Sequence, residues 1–218
     1  MTAAGEARSP SPSPSTRDQI LDAAERLFAR KGFDPTTIKE IGAEAKLNPA
    51  LLYYYFRDKE ELYRAVLQRV AGDLVTRGRA GLDAAATPEL AIRALVGAQV
   101  EFLLNHPNAP KLLVREMVDH DARHAEAIVL QLAAGIFRRL CELIEEGQRA
   151  GRFSREVEPR FAAVSTIAQV VYFTIARPAI GLLFGSGAGG VSEATARAFG
   201  RHAGEFAVRA LTNLEHTP

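Results

Sequence analysis

Glu116, His120 and His124 have the residue types for metal chemistry. They stand at i, i+4 and i+8, a spacing that stacks them on one helix face. One carboxylate and two imidazoles form a donor set that zinc accepts. The run they occupy, MVDHDARH (117–124), is dense in charge and reads as the solvated end of a helix, so no metal is expected there. Cys141 is the single cysteine and excludes a disulfide within the chain. Its neighbours Ile136, Phe137, Leu140 and Ile144 make it a small core residue. No Ser-His-Asp set and no paired catalytic acids occur. The glycine-rich GSGAGG (185–190) lacks the preceding strand that a phosphate loop needs. The chain is therefore read as a non-enzyme with no cofactor.

A different chemistry is written at 48–56, NPALLYYYF, which holds three of the five tyrosines. On a helix, Leu52, Tyr55 and Phe56 share one face, and Ala50, Tyr53 and Tyr54 share the opposite one. A phenol can pack on a sugar and donate to a phosphate oxygen. Small and apolar residues such as Ala50 and Leu51 can touch thymine methyls in a major groove. The first face is the one to dock on a core, which leaves Tyr53 and Tyr54 outward.

Start signals place these residues on short helices. Thr16-Arg-Asp-Gln and Thr37-Ile-Lys-Glu are capping boxes, Asp58-Lys-Glu-Glu is an acidic version, and Asn48-Pro49 sets a cap before a proline at the first helical position. The pattern predicts helices over about 17–31, 38–45, 49–55 and 58–77. The second and third, joined by Lys46, Leu47 and Asn48, form a helix-turn-helix pattern. Backbone amides at the starts near 37, 48 and 58 can bind phosphate, helped by Lys39, Lys46, Arg57 and Lys59. The formal net charge of +1 gives no bulk attraction to nucleic acid, so affinity would rest on this local geometry.

The stretch 16–67, with ILDAAERLFARKGF, TTIKEI, LYYYF and DKEEL, resembles the DNA-binding head of TetR/AcrR-type transcriptional regulators. The resemblance implies a homodimer on a palindromic DNA operator and a helical body that takes a small-molecule effector. It implies that Thr37, Tyr53 and Lys59 contact phosphate, that Asn48, Pro49, Ala50 and Leu51 face bases, and that Tyr54 stands where a histidine is usual. Lys46 occupies the family's turn glycine, where a left-handed side-chain residue costs about 1 kcal/mol. Pro49 and Leu51 replace residues that are more often polar, so methyl contacts and DNA shape are expected to carry the readout.

Beyond residue 62 the pattern stays helical: about 87–105, 122–149, from Glu158-Pro159 to a kink or end at Pro178, and from Ser192 to about 214. The domain reading is a disordered Ser/Pro tail over 1–15, a head over 16–62 and a ligand-binding and dimerisation body over 63–218. The fold class is all-α: a three-helix helix-turn-helix head on a larger helical body. The apolar stretch near 161–184 is broken by Gln169 and Arg177-Pro178, so a buried helix and a cytoplasmic, membrane-free protein are expected. Polar residues inside apolar stretches are the candidate ligand contacts: Gln99, Arg115, Glu116, Gln169, Tyr172 and Arg177. Small residues at Ala194, Ala198, Ala203, Gly204, Ala207 and Ala210, with Phe161, Val164, Ala168 and Val171, suit a pairing face. The function expected is a ligand-released repressor. The alternative is a protein-binding adaptor that keeps the helix-turn-helix module.

Overall fold

The computed structural model describes residues 15–187 and 189–212, and every regular element among them is helical. Apart from Ser15, the tail expected over 1–15 lies outside the described residues. The head is α1 (Thr16–Lys31), α2 (Ile38–Ala45) and α3 (Pro49–Tyr55), leading into α4 (Lys59–Asp83). The body adds α5 (Pro88–Asn105), α6 (Ala109–Asp119), α7 (Glu126–Leu132), α8 (Arg138–Arg149), α9 (Pro159–Ile175), α10 (Arg177–Leu183) and α11 (Glu193–Leu211).

Local side-chain chemistry sets the starts of the head helices. Thr37 and Glu40 make both halves of a capping box. The Asn48 carboxamide oxygen accepts from the Ala50 amide at 2.9 Å, and Asp58 accepts from the Glu61 amide at 2.7 Å. The first start falls one residue earlier than expected: Ser15 is the cap, accepting from the Asp18 amide, and Thr16 joins the first turn. Ser15 and Asp18 offer the same three-residue spacing, so a shift of one position keeps an equivalent cap.

Lys46 ends α2 in the left-handed region, at φ 58° and ψ 38°. Lys46→Gly removes a Cβ conflict of about 1–2 kcal/mol at the cost of about 0.4–1 kcal/mol of added unfolded-chain freedom, so it should stabilise the fold by up to about 1 kcal/mol. Thermal unfolding reads this as a rise in Tm of up to about 2–4 °C; an unchanged or lower Tm contradicts it.

α4 runs to Asp83, six residues past the expected end near 77, and Gly78 lies inside it. A Cβ at Gly78 would stand 2.7 Å from Ile136 Cδ1, so this glycine permits close helix approach and does not stop the helix. The single helix expected over 122–149 is three pieces. The chain first reverses with Asp121 and Ala122 at φ 50° and 60°. α7 then passes into α8 through a π-helical turn at Ala133–Phe137. α9 and α10 meet at 77° beside Pro178. Among the described residues no single helix is long and apolar enough to cross a membrane.

One apolar core runs without a break from the head (Ile20, Phe28, Ile41, Leu52, Phe56) through α4 (Leu62, Tyr63, Leu67) to Phe102, Leu112 and Ile128 in the body. A second core holds Leu82, Leu95, Ile136, Leu140, Phe153 and Val208. Arg69 on α4 bonds Asp22 and Glu25 on α1, each at 2.7 Å, which fixes how the head sits on its connecting helix. The small-residue stripe of α11 divides in two. Ala203, Gly204 and Ala207 are buried within the chain, and a Cβ on Gly204 would stand 3.4 Å from the Arg93 backbone of α5. Ala194, Ala198 and Ala210 stay exposed, as do Phe161, Val164 and Ala168 on α9, while Val171 is half-buried.

Candidate nucleic-acid interface and effector cavity

α3 has seven residues, too few to be stable alone. Leu52 and Phe56 anchor it in the head core, and Tyr55 is half-buried beside them. The opposite face is bare: Tyr53 is 58% and Tyr54 81% exposed. Asn48, Ala50 and Leu51 are exposed at the start of the helix, with Pro49 half-buried between them. The helix therefore presents a small apolar tip and two phenols on one side, while the Ala50 and Leu51 amides at its start are taken up by Asn48.

The flanking groups divide into open and engaged cations. Lys39 and Lys46 are exposed and make no ion pair among the described residues. Thr37 is exposed at the start of α2, where its hydroxyl serves the capping box. The Glu40 carboxyl in that box is held down at about 2, first by its bond to the Lys31 ammonium and then by the Thr37 amide. It remains a carboxylate at any pH at which DNA binds.

Lys59 is placed beside the start of α4 but is not idle. Its ammonium donates to the carbonyls of Phe33 and Asp34 at 2.9 and 3.1 Å and lies 4.3 Å over the Phe33 ring. One of its three donors is left for an outside acceptor. These loop bonds are long-range and left no mark in the sequence. Arg17, not singled out by motif, stands 5.2 Å over the Phe56 ring at the far end of α3. Arg57 is exposed but paired with Asp58 at 3.0 Å.

The body forms a partly open cavity of about 300 Å³ between α4, α5, α6, α7, the π turn and α9. Leu74, Leu95, Leu113, Ile136, Phe137 and Ile167 are among its apolar lining, and Gln99 is its polar group. The Gln99 amide nitrogen donates to the Ile167 carbonyl at 3.1 Å, while its oxygen is buried without a partner among the described residues. An acceptor left unpaired in an apolar cavity is costly unless a donor arrives.

Of the six candidate ligand residues, only Gln99 lines this cavity. Tyr172 is 71% exposed on the outer side of α9, and Gln169 bonds back to the Ser165 carbonyl of its own helix. Arg115 and Arg177 line a separate groove near Ala29 and Pro110, and Arg177 also donates to the Val191 carbonyl at 2.6 Å. Glu116 lies away from both, fully buried against His124. The helix end expected within 117–124 is there, since α6 stops at Asp119 and the charges of Asp119, Asp121 and Arg123 are exposed, but the reversal at Asp121 and Ala122 folds His124 out of solvent and back over Glu116.

A turn-linked helix pair, with its second helix bare on one side and mounted on an all-helical body with a partly open cavity, defines a DNA-binding regulator. Residues 20–66 match the family model for bacterial regulatory proteins, tetR family, and residues 88–204 match the tetracyclin repressor-like C-terminal domain. The chain belongs to the TetR family of bacterial transcriptional regulators. It is 33% identical over 164 residues to the HTH-type transcriptional repressor NicS of Pseudomonas putida, covering 72% of this chain and 74% of that protein. It is 29% identical over 170 residues to the HTH-type transcriptional repressor SCO4008 of Streptomyces coelicolor, covering 78% and 73%. A tetR-family regulatory protein from Rhodococcus RHA1 superposes with a TM-score of 0.76 at 19% identity, over 93% of this chain and all of that one, a likeness of fold alone.

Proposed function

We propose that the chain is a repressor that binds a palindromic operator as a homodimer in the cytoplasm and leaves it when a small apolar effector fills the Gln99 cavity. The observation that carries this reading is the split of α3 into a buried Leu52/Phe56 side and an exposed Tyr53/Tyr54 side. Thr37, Lys39, Lys46, Tyr53, Tyr54 and the remaining Lys59 donor serve phosphates. Asn48, Pro49, Ala50 and Leu51 face base edges, where only apolar contact is strong. Partners are the DNA duplex, the effector and a second copy of the chain; no membrane is involved. The exposed apolar residues of α9 and α11 supply the pairing face.

Release needs only a difference in affinity between two arrangements of the heads. Recognition helices reading successive major grooves must stand about 34 Å apart. A 100-fold preference of effector for another spacing supplies about 2.7 kcal/mol per site. The cavity touches α4 at Leu74 and Gly78, and the same helix carries the head through Arg69.

Selection of bound DNA from a random pool tests the reading. A palindrome supports it, and recovery of unrelated sequences favours the adaptor alternative. Tyr53→Phe and Lys59→Ala should weaken all duplexes alike, whereas Leu51→Ala should change which base is preferred under the tip of α3. If neither kind of substitution moves DNA affinity, the docking face is wrong.

The unpaired Gln99 oxygen makes a second expectation. An effector with one hydroxyl or N–H on an apolar frame should lose about 0.5–1.5 kcal/mol of affinity in Gln99→Leu, and its donor-free analogue should not. Equal loss for both ligands, measured by calorimetry, removes Gln99 from the site.

A further inference from the structure

The geometry points to a site for one divalent transition-metal ion at Glu116, His120 and His124, where the end of α6 meets the start of α4. The three residues each bring a ligand atom to within 4.8 Å of the others. Glu116 is wholly buried and His124 nearly so, while His120 is half-exposed and gives the site a door to solvent. Helical spacing alone would have stacked the three on one face, but His124 lies beyond the end of α6, and the reversal at Asp121 and Ala122 is what brings it back to Glu116.

The carboxylate is already oriented for the task. One Glu116 oxygen accepts from the His124 amide at 2.6 Å, which leaves the other oxygen 3.2 Å from His124 Nδ1. Zinc binds nitrogen and oxygen at about 2.0–2.2 Å in tetrahedral array, which sets neighbouring ligand atoms roughly 3.3 Å apart. The Glu116–His124 pair therefore stands at ligand spacing, with His120 closing from its half-exposed side.

Binding moves one proton. An ion between the Glu116 oxygen and His124 Nδ1 takes the place of any proton there, so the neutral ring must carry its proton on Nε2. That nitrogen faces a Glu60 carboxylate oxygen at 4.0 Å, and a carboxylate beyond the ligand is the usual orienting partner of a metal-bound histidine. A water completes the fourth position.

The walls suit such a centre. The rings of Phe33 and Tyr63 pack on His120 and His124 at centroid distances of 5.0–6.5 Å. Burial and the neighbouring Glu116 carboxylate hold the Tyr63 hydroxyl in its protonated form. Asp121 and Ala122 both hold positive φ without being glycine, and the turn they form is what returns His124 to Glu116. Because Glu60 and Tyr63 belong to α4 and Phe33 to the loop that holds Lys59, an ion here would pin the base of the head to α6.

The test uses the full chain and zinc alone, followed by Co²⁺ as a spectroscopic probe. Equilibrium dialysis should give one zinc per chain, and Co²⁺ should show the intense visible bands of a tetrahedral site. Loss even of outer-shell partners weakens metal binding by 10–100-fold, so His120→Ala should lower affinity by at least about that factor with unchanged circular dichroism. His106→Ala, which removes a histidine elsewhere, should leave both readouts intact. No saturable zinc uptake, or uptake lost equally in His106→Ala, overturns the site. So does retention of full affinity in both His120→Ala and Glu116→Gln.

Discussion

Replacing Phe161 and Phe206 together by glutamate should convert the protein to a monomer in sedimentation velocity and lower operator affinity by on the order of 10²–10⁴-fold. Phe161 is 73% and Phe206 56% exposed, on α9 and α11. Val164, Tyr172 and Ile175 extend the apolar surface along α9. Exposed apolar residues clustered like this mark association sites, whereas scattered ones do not. On the proposed pairing face, two carboxylates would meet two more from the second copy, and burying unpaired charge costs several kcal/mol. The loss of DNA affinity follows from linkage, since a dimer that holds one half-site presents its second head to the other at high effective concentration. Both side chains point away from the cores, so helicity should be kept. A stable dimer in the double variant, or a monomer that binds the operator at full strength, would place the pairing face elsewhere.

Leu52→Ala should cost about 2–5 kcal/mol and abolish DNA binding. Leu52 is 1% exposed and is the buried anchor on the inner side of a seven-residue helix. A helix that short persists only through tertiary contact. Typical total stabilities of 5–15 kcal/mol leave the body helices folded while α3 loses its seat. Hydrogen exchange should show fast amides over 49–56 with protection kept in α5 and α11. Native protection across α3, together with unchanged DNA affinity, would show that Tyr55 and Phe56 suffice to hold it.

What could be read beforehand followed the range of the forces involved. Caps at Thr37, Asn48 and Asp58 are contacts between residues two or three apart, so the residues themselves announce them. The left-handed backbone of Lys46 was legible only through the family resemblance, which puts a turn glycine at that position. The interior of the body was harder to read. Gln99 on α5 and Tyr172 on α9 both sit in apolar runs, yet one lines a cavity and the other faces outward, and α9 is apolar on both its core side and its exposed side. Periodicity cannot separate those two faces. The reversal at Asp121–Ala122 and the π turn at Ala133–Phe137 use residues with no local preference for either shape, and tertiary packing alone selects them. The engagement of Lys59 with the Phe33 and Asp34 carbonyls is another contact across sequence distance.

The π turn has an evolutionary side. A turn of that kind holds one residue more than the α-helix around it needs. Deleting one of the codons 133–135 would restore plain helix and reset Ile136 and Phe137 on the cavity wall, while the head helices α1–α3 kept their places. Under the proposed function, descendants of this protein could thus trade one effector for another by indel without touching the head.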